Sequence, residues 1–269
     1  MFDLVADYPV DVINFDKPCV LCYNGCTILY TILRTFFPPI EPFVIRRSCL
    51  LTRRHLADPS PDRTSDRVVD ELRKRIITLE LPPAAVVSET YLAKLLDCSR
   101  TPLREALCRL GNEYLVVLLP RRGVAIAGLS VTDLSQVQDA MAELQTAMVD
   151  QIAERVTEED IETLEAIVAR AEEANGQQDF WGVVQADMAF HITIASLAGN
   201  PFIQDAVERV HRFATRYTYL ATKKLGTAED SLVEHRELIA LLRSRDVDKL
   251  AAYIQFHAQT AKRRILKAL

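Results

Sequence analysis

The sequence predicts a mainly α protein, in which an N-terminal winged helix-turn-helix (three helices plus a β-hairpin wing) is joined to an all-α helical bundle. Glycine is scarce, at 8 of 269 residues, and 49% of the residues are hydrophobic, a composition that favours a helical globular protein. Between residues 64 and 127 the apolar pattern has helical spacing three times and then changes to two short β-like runs. From Ser130 onward the spacing is helical almost throughout.

Residues 1–63 form an extension whose role the sequence leaves open, and disorder is one interpretation of it. Cys19, Cys22 and Cys26 make a C-x2-C-x3-C pattern, but no second pair follows at zinc-finger spacing, so an accidental cysteine cluster is favoured over a metal site. A short interfacial helix and a translation start placed too far upstream are the other interpretations. The stretch DPSPDRTS at residues 58–65 is typical of a linker, so a domain can begin after it.

Charge and cysteine usage indicate a cytoplasmic protein with a small basic surface. Residues 64–128 are mildly basic, residues 129–269 are acidic, and the whole chain has a net charge of −5. This balance argues against a non-specific nucleic-acid coat but allows a small DNA-reading unit. The N-terminus is acidic where a secretory signal would be basic, and no apolar run reaches ~18 residues without a charge. We therefore expect no membrane span, and free thiols in a reducing compartment.

The stretch SRTPLREALCRL at residues 99–110 predicts a short helix with an apolar face and an arginine face. Ser99 can cap its first turn, where Pro102 costs little because those N–H groups have no helical partner. Arg100 and Arg104 are four residues apart and share one face. The opposite face holds the predicted buried stripe, Leu103, Ala106, Leu107 and Leu110. Arginine suits the guanine edge in the major groove, whereas the alternative is a surface helix with solvated arginines.

The neighbouring elements identify this stretch as the recognition helix of a winged helix-turn-helix. Helices capped by Ser65 and Ser88 are predicted before it, and two strands after it, at residues 64–79, 89–96, 114–119 and 124–127. In this arrangement the third helix enters the major groove and the hairpin tip approaches the DNA backbone. At the tip, Arg121 and Arg122 suit phosphates and Gly123 suits a close backbone approach.

The C-terminal part predicts a helical bundle with short connections. Six segments have helical spacing, at residues 131–156, 158–175, 178–197, 201–225, 227–244 and 246–269. Breaks are marked by Asn175-Gly176, by Gly199-Asn200-Pro201 and by Gly226, while Thr157 and Asp246 are typical helix starts.

Four side chains in this bundle predict a site for a first-row divalent metal. Asp187 and His191 are four residues apart on the third segment and so project from one face. His235 and His257 lie on the fifth and sixth segments, and bundle cores are places where such ligands converge. The alternative for each histidine singly is a satisfied polar residue. His211 has no carboxylate four residues away and is interpreted as a surface or cavity-lining residue.

Sequence motifs of common enzymes are absent from the chain. We find no G-x-S-x-G, no Walker loop, no dinucleotide G-x-G-x-x-G and no H-E-x-x-H. A metal-dependent helical enzyme fused to a DNA-binding head is the alternative function, because an ion with nitrogen ligands and a bound water can be catalytic.

Two sets of motifs resemble known families. Residues 66–128, with SRTPLREAL at 99–107 and RRG at 121–123, resemble the DNA-binding domain of GntR-family bacterial transcription regulators. Residues 130–269 resemble the FCD ligand-binding domain of the FadR subfamily, through DMAFH at 187–191, AGNP at 198–201, EHRE at 234–237 and His257. Six predicted helices are closer to the shorter, VanR-like branch than to the seven-helix form.

The resemblance implies a ligand-responsive transcription regulator that binds a near-palindromic operator as a homodimer. By this resemblance Arg100 and Arg104 contact bases, and Ser99 and Thr101 hold the DNA backbone or base edges. Gly123 lies close to the DNA, while Arg121 and Arg122 are expected to add salt-dependent affinity for phosphates.

The resemblance also implies that a divalent metal, zinc or nickel, is bound by Asp187, His191, His235 and His257. A small carboxylate effector then completes the site. We expect Arg212, Arg216 or Arg236 to pair with the effector carboxylate, and solvent exposure is the alternative for these arginines.

Four positions depart from the family pattern. Ala84 and Tyr114 stand where glycines are expected, so the loop at Ala84 is expected to differ. Met141 and Gln145 stand where an arginine and a glutamate are common, which predicts an unusual ligand or an unusual coupling between the domains.

Overall fold

The computed structural model describes residues 63–269. The cysteine cluster and most of the linker interpreted above lie outside the described residues. The described part contains ten helices and three strands: α1 Arg63–Ile77, β1 Val86–Val87, α2 Glu89–Leu95, α3 Arg100–Asn112, β2 Val116–Leu119, β3 Gly123–Ile126, α4 Val131–Thr146, α5 Val149–Arg155, α6 Glu158–Gly176, α7 Phe180–Leu197, α8 Pro201–Leu225, α9 Glu229–Ser244 and α10 Val247–Ala268. None of these helices is both long and apolar enough to span a membrane.

The winged helix-turn-helix has one small core between its helices and its sheet. Helices α1 and α2 pack against α3, and the stripe predicted for α3 is fully buried. The sheet is antiparallel with the strand order β1-β3-β2, and β2 and β3 form the predicted wing hairpin. Burial of the apolar face leaves the side chains of Arg100 and Arg104 exposed on the opposite face.

Strand β1 is an addition to the predicted hairpin. Val86 pairs with Ala125 and Val87 with Val124. A run of two residues is too short to show the alternation that identifies a strand. Ala84, which stands at an expected glycine, has φ of 63°, and its N–H donates to the Ile126 carbonyl at 3.1 Å. The left-handed turn is therefore present with alanine in place of glycine.

Several predicted helix and strand starts are shifted. Helix α1 begins at Arg63, so Ser65 lies inside its first turn and is not the N-cap. Ser88 caps α2 as predicted, accepting the Tyr91 N–H at 3.1 Å. Ser99 occupies the N-cap position of α3 but makes no capping hydrogen bond through its side chain. Strand β2 begins at Val116, because Tyr114 has φ of 59° and closes the turn after α3.

The bundle has seven helices among the described residues, not the predicted six. The segment predicted at 131–156 is divided between α4 and α5 by Ala147 and Met148. This stretch contains neither glycine nor proline, so no local signal marks the break. Met148, at the break, and Val149 and Ile152, just after it, are buried in the main bundle core. The six-helix count, on which the comparison with the VanR-like branch rested, is therefore wrong by one helix.

The other predicted ends of the bundle helices have the expected chemistry. Thr157 and Asp160 form a capping box at the start of α6. The Asn200 side chain accepts two N–H groups at the start of α8, where Pro201 is the first residue. Gly226 ends α8 with φ of 73°. These caps define the short connections that hold α7 between α6 and α8.

Helix α8 also contacts the winged helix-turn-helix. Ile77 at the end of α1 clusters with Val184 and with Tyr219 of α8. The Tyr217 hydroxyl accepts the Ser130 N–H at 3.1 Å and donates to the Ser130 carbonyl at 3.2 Å. The same helix therefore belongs to the bundle and contacts the winged helix-turn-helix.

Candidate functional site

The four predicted metal-ligand residues converge in the interior of the bundle. Asp187 and His191 lie one turn apart on α7, while His235 and His257 come from α9 and α10. Asp187 Oδ1 lies 3.6 Å from His235 Nε2 and 4.0 Å from His191 Nε2. Ligand atoms of the three histidines lie within 4.8 Å of one another, and all three imidazoles are buried.

His211, which the sequence interpretation set aside, lies in the same cluster. It is on α8 and buried, and its Nε2 lies 3.3 Å from Asp187 Oδ2. Neither of its ring nitrogens has a hydrogen-bond partner among the described residues. The sequence held no signal for this contact, because His211 and Asp187 are on different helices.

Outer partners orient two of the imidazoles. The Glu234 carboxylate accepts from His257 Nδ1 at 2.6 Å, which leaves Nε2 of that ring with its lone pair. Arg264 donates to the same carboxylate at 2.9 Å. Burial opposes ionisation of Glu234, but hydrogen bonds from His257 and Arg264 lower its pKa to about 2. Glu234 is therefore an anion between a histidine and an arginine.

Gln145 is the outer partner of His191. Its side-chain amide nitrogen, Nε2, lies 2.9 Å from His191 Nδ1, an orientation in which the amide donates to that ring nitrogen. A glutamate at this position could only accept from the imidazole, whereas an amide can donate or accept, depending on which way it faces. A ligand on His191 Nε2 requires a proton on Nδ1 and hence the amide oxygen toward the ring.

Burial keeps the imidazoles of His235 and His191 neutral. It lowers the pKa of His235 to about 3. Burial, together with the neighbouring His211, lowers the pKa of His191 well below its usual value. Burial opposes ionisation of Asp187, but the surrounding imidazoles, His211 foremost, hold its pKa below the usual range. Neutral imidazoles and an ionised carboxylate are the forms that bind metal ions.

The ligand cluster lies on the wall of a cavity of about 220 Å³. Most other lining residues are apolar, among them Ile167, Val183, Leu232 and Ile265. Met141 and Gln145, the two departures from the family pattern, line the cavity as well. A mainly apolar cavity with a few converging polar groups is typical of a small-molecule site.

The three arginines predicted to meet an effector do not line this cavity. Arg236 is exposed and pairs with Glu172 and Glu229. Arg212 pairs with Glu208 on its own helix. These pairs are made outside the cavity because helical phase turns both side chains away from the ligand cluster.

Arg216 is buried but contacts the winged helix-turn-helix instead. It donates to the Ala127 carbonyl at 2.7 Å and lies over the Phe213 ring. Among the described residues, the cavity lining contains a single arginine and no lysine; the arginine is Arg264, which the sequence interpretation missed. Its place depends on how α9 and α10 pack, which local spacing does not reveal.

The predicted DNA-contact residues lie on an exposed surface. Ser99, Arg100, Thr101 and Arg104 are all exposed along α3, and Arg121 and Arg122 are exposed at the wing turn. Arg104 Nε donates to Glu89 Oε2 at 2.9 Å, although 68% of the Arg104 side chain is accessible. The α3 arginines and the wing arginines therefore present two cationic groups to solvent.

The structure gives a reason for glycine at position 123 that the sequence did not provide. Its φ is 103°, and a Cβ added there would overlap the Val87 carbonyl oxygen of β1. The close approach is thus made by the neighbouring strand of the same chain. The prediction that Gly123 also lies near DNA stays a prediction.

Together, the winged helix-turn-helix and the cavity-bearing bundle define a DNA-binding regulator with a sensor domain. Residues 64–126 match the family described as bacterial regulatory proteins, gntR family. Residues 136–260 match the FCD domain. The chain belongs to the GntR family, and it is a transcription regulator rather than an enzyme.

Individual relatives agree with this family. A helix-turn-helix-type transcriptional regulator from the TAR-I ttuE-ttuC' intergenic region of Agrobacterium vitis is 30% identical over 177 residues, covering 60% of this chain and 99% of the relative. The regulator YdhC of Bacillus subtilis is 24% identical over 193 residues, covering 70% of this chain and 84% of the relative. The solved structure of E. coli McbR/YncC shares the fold, with a TM-score of 0.67 at 19% identity, covering 76% of this chain and 97% of that chain.

Proposed function

We propose that this regulator binds a near-palindromic operator as a homodimer, and that a small carboxylate effector at a metal-containing site in the bundle changes its DNA affinity. The convergence of Asp187, His191, His235 and His257 on the wall of one cavity is the observation that supports this proposal. We further propose a division into an extension (residues 1–63), a DNA-binding domain (64–128) and an effector-binding domain (130–269). We also propose that the protein acts in the cytoplasm, where its DNA target lies.

The side chains of the cluster fit a bound metal. His235 Nε2 is buried with no hydrogen-bond partner among the described residues, an arrangement that is costly unless another group occupies that position. The donor set is rich in nitrogen and has one carboxylate, which suits zinc or nickel rather than magnesium or calcium. Asp187, His191, His235 and His257 would hold the ion, which supplies a positive charge able to bind a carboxylate oxygen.

The protein residues around the ion have separate tasks. Glu234 holds the His257 ring in the tautomer that offers Nε2 to the cavity. Arg264 neutralises Glu234, so this outer carboxylate does not repel an anionic effector. The apolar lining excludes water from the body of the ligand, which strengthens the electrostatic contacts within the cavity.

Helix α8 is the connection between the cavity and the DNA-binding unit. His211 lies on the cavity wall, and Arg216 on the same helix reaches Ala127 at the end of the wing. An effector that binds two placements of α8 with different affinity shifts the population between them. The DNA-binding units are then presented differently to the two half-sites.

On DNA, we propose that two recognition helices enter adjacent major grooves, with half-sites about 10 bp apart. Arg100 and Arg104 contact base edges, with Ser99 and Thr101 beside them, and both arginine side chains are free to extend from the exposed face of α3. Arg121, Arg122 and Gly123 at the wing tip lie near the phosphate backbone.

One experiment tests the proposal as a whole. Full-length protein purified without chelator is analysed for metal, and its affinity for an operator selected from random DNA is measured with a panel of small carboxylates. We expect about one metal ion per chain, a two-fold symmetric operator, and an effector that changes DNA affinity ~5–150-fold.

Variants on α10 separate sensing from DNA binding. His257→Ala should lose the metal and the effector response while retaining operator binding. Gln259→Ala, which changes an exposed side chain two residues away, is the matched control and should behave as wild type. A wild-type protein that binds its operator but holds no metal and responds to no carboxylate would contradict the proposal.

A further inference from the structure

We propose that His211 is a fifth protein ligand of the metal, so that an effector reaches the ion through a single oxygen atom. This inference rests on the proposed metal site and specifies its donor set and the class of ligand it accepts.

The surroundings of His211 provide the first observation. The side chain is only 5% exposed, and neither ring nitrogen has a hydrogen-bond partner among the described residues. A neutral imidazole has one donor and one acceptor, and both are normally satisfied when the ring is buried. His211 lines the cavity, and its Nε2 lies 3.3 Å from Asp187 Oδ2, so the ring lies beside the position of a group bound to Asp187.

The position of Asp187 provides the second observation. Its Oδ1 faces His235 and His191, at 3.6 and 4.0 Å, while its Oδ2 lies 3.3 Å from His211 Nε2. Ligand atoms of Asp187, His191 and His211 lie within 4.8 Å of one another, as do those of His191, His235 and His257. His191 belongs to both sets, so the two groups form one continuous cluster around it.

The dimensions of this cluster suit a single ion. Two nitrogen ligands of one zinc ion lie no more than about 4.2 Å apart, twice the Zn–N bond length. The spacings at Asp187 already fall within this limit. Within each of the two three-residue sets, the ligand atoms lie within 4.8 Å of one another, a span slightly above this limit.

A fifth protein ligand restricts how an effector binds. An ion that takes six ligands has two open positions in a four-ligand site but one in a five-ligand site. A 2-hydroxy acid, which chelates through two oxygens, needs both, whereas a simple monocarboxylate binds through one. Arg264 is the only lysine or arginine in the described lining, and Glu234 already occupies it. Because most of the lining is apolar, the cavity therefore favours a monocarboxylate with a mainly apolar body.

The first test counts imidazoles directly. X-ray absorption spectra of zinc- and nickel-loaded full-length protein should fit four imidazoles per metal in wild type and three in His211→Ala. A wild-type count of three would overturn the inference without any variant. A wild-type protein that takes up neither metal would overturn both this inference and the proposed metal site.

The second test measures affinity by competition with a chelator. His211→Ala should bind Zn²⁺ more weakly, by at least the ~10–100-fold typical of losing an outer-shell partner. Thr218→Ala, on the same helix and also on the cavity wall, is the control and should retain wild-type affinity. His211→Gln, which retains a polar side chain, serves if the alanine variant does not fold. Unchanged metal affinity in a folded His211 variant would overturn the inference while the four-ligand site stands.

The third test uses hexanoate and 2-hydroxyhexanoate, which differ only in the chelating hydroxyl. Wild-type, nickel-loaded protein should bind hexanoate at least as tightly as 2-hydroxyhexanoate in a thermal-shift titration. In His211→Ala the second open position should reverse this order. A wild-type preference for the hydroxy acid of 10-fold or more would show two open positions and overturn the inference.

Discussion

The Arg216 guanidinium donates a 2.7 Å hydrogen bond to the Ala127 carbonyl, where the wing ends and the bundle begins. Arg216 is 1% exposed and has no carboxylate partner among the described ion pairs. It lies 4.3 Å from the centre of the Phe213 ring, and burial lowers its pKa. A buried cation without a counter-ion adds little stability by itself, which points to a role in positioning the two domains.

We predict that Arg216→Met weakens the effector response more than it weakens the fold. Methionine retains much of the apolar contact but cannot donate to Ala127. The loss of that hydrogen bond is offset by removal of a buried charge, so the free energy of unfolding should change by less than about 2 kcal/mol. The effector-induced change in operator affinity, measured by fluorescence anisotropy, should fall toward one-fold.

The control for this variant is Arg209→Met on the same helix. Arg209 pairs with Asp205 one turn away and does not contact the winged helix-turn-helix through any described ion pair. The Arg209→Met substitution should leave the effector response unchanged. An undiminished response in Arg216→Met would exclude this contact from the coupling.

Arg104→Ala should relax sequence preference at one position of each half-site. The side chain is 68% accessible and is free to leave Glu89 for a base edge. Loss of a good bidentate contact costs ~1–3 kcal/mol at the correct base and much less at the others. Affinities for a set of operators with single base changes measure this difference.

Arg109→Ala provides the matched substitution for Arg104. It removes an exposed arginine from the same helix, but one that pairs with Asp66 of α1. Sequence preference should be retained in this variant. If Arg104→Ala weakens all operators equally, Arg104 contacts phosphate and the assignment is wrong.

Removing the wing arginines should change salt dependence instead of specificity. Arg121 and Arg122 are exposed at the turn between β2 and β3. Each phosphate contact contributes about 0.9 to the slope of log K against log salt concentration, so each alanine variant should reduce the slope by about one. Titrations at several salt concentrations test this. Arg243→Ala, on α9 and paired with Glu158 and Glu165, should leave the slope unchanged.

The spacing of residues in the sequence was sufficient to predict the features that lie on a single helix. The stripe from Leu103 to Leu110 is buried as predicted, and Arg100 and Arg104 on the opposite face are exposed. The i, i+4 spacing of Asp187 and His191 correctly placed both on one face of α7. The caps at Thr157 and Asp246 were also predicted, because a capping side chain bonds only to its own first turn.

The sequence did not predict the features that depend on contacts between two different helices or strands. His211 meets Asp187 across the α7–α8 contact, and Arg264 meets Glu234 across the α9–α10 contact. Strand β1 exists only because Val86 and Val87 pair with β3. The break at Met148 lies where that side chain is buried in a core shared with other helices. None of these contacts has a periodicity in the sequence.

Gly123→Ala should destabilise the winged helix-turn-helix. Alanine is strained at φ of 103°, and its Cβ would overlap the Val87 backbone, which cannot move without breaking the β1–β3 pairing. We expect a loss of at least about 2 kcal/mol in the free energy of unfolding, measured by urea denaturation. Gly176→Ala is the control: no atom lies within 4 Å of its added Cβ, and it should be neutral or stabilising. Equal stability of the two variants would contradict this account.

The stability of the metal-free protein should fall as the pH is lowered from about 6.5. Unfolded histidine takes up a proton near pH 6.5, whereas burial lowers the pKa of folded His235 to about 3. Between these values the unfolded state binds more protons, so acid favours unfolding by up to about 1.4 kcal/mol per pH unit for this group.

His191 should add to the same dependence, because burial lowers its pKa as well. Glu234, whose pKa is lowered from 4.5 to about 2 by His257 and Arg264 against the opposing effect of burial, adds to the loss only below about pH 4.5. Urea denaturation of chelator-treated protein between pH 6.5 and 4.5 therefore isolates the histidines. His235→Gln should have a shallower dependence than wild type, since it removes one titrating group. A free energy of unfolding that stays constant across this interval would mean that the imidazoles of the cluster are not held neutral by burial.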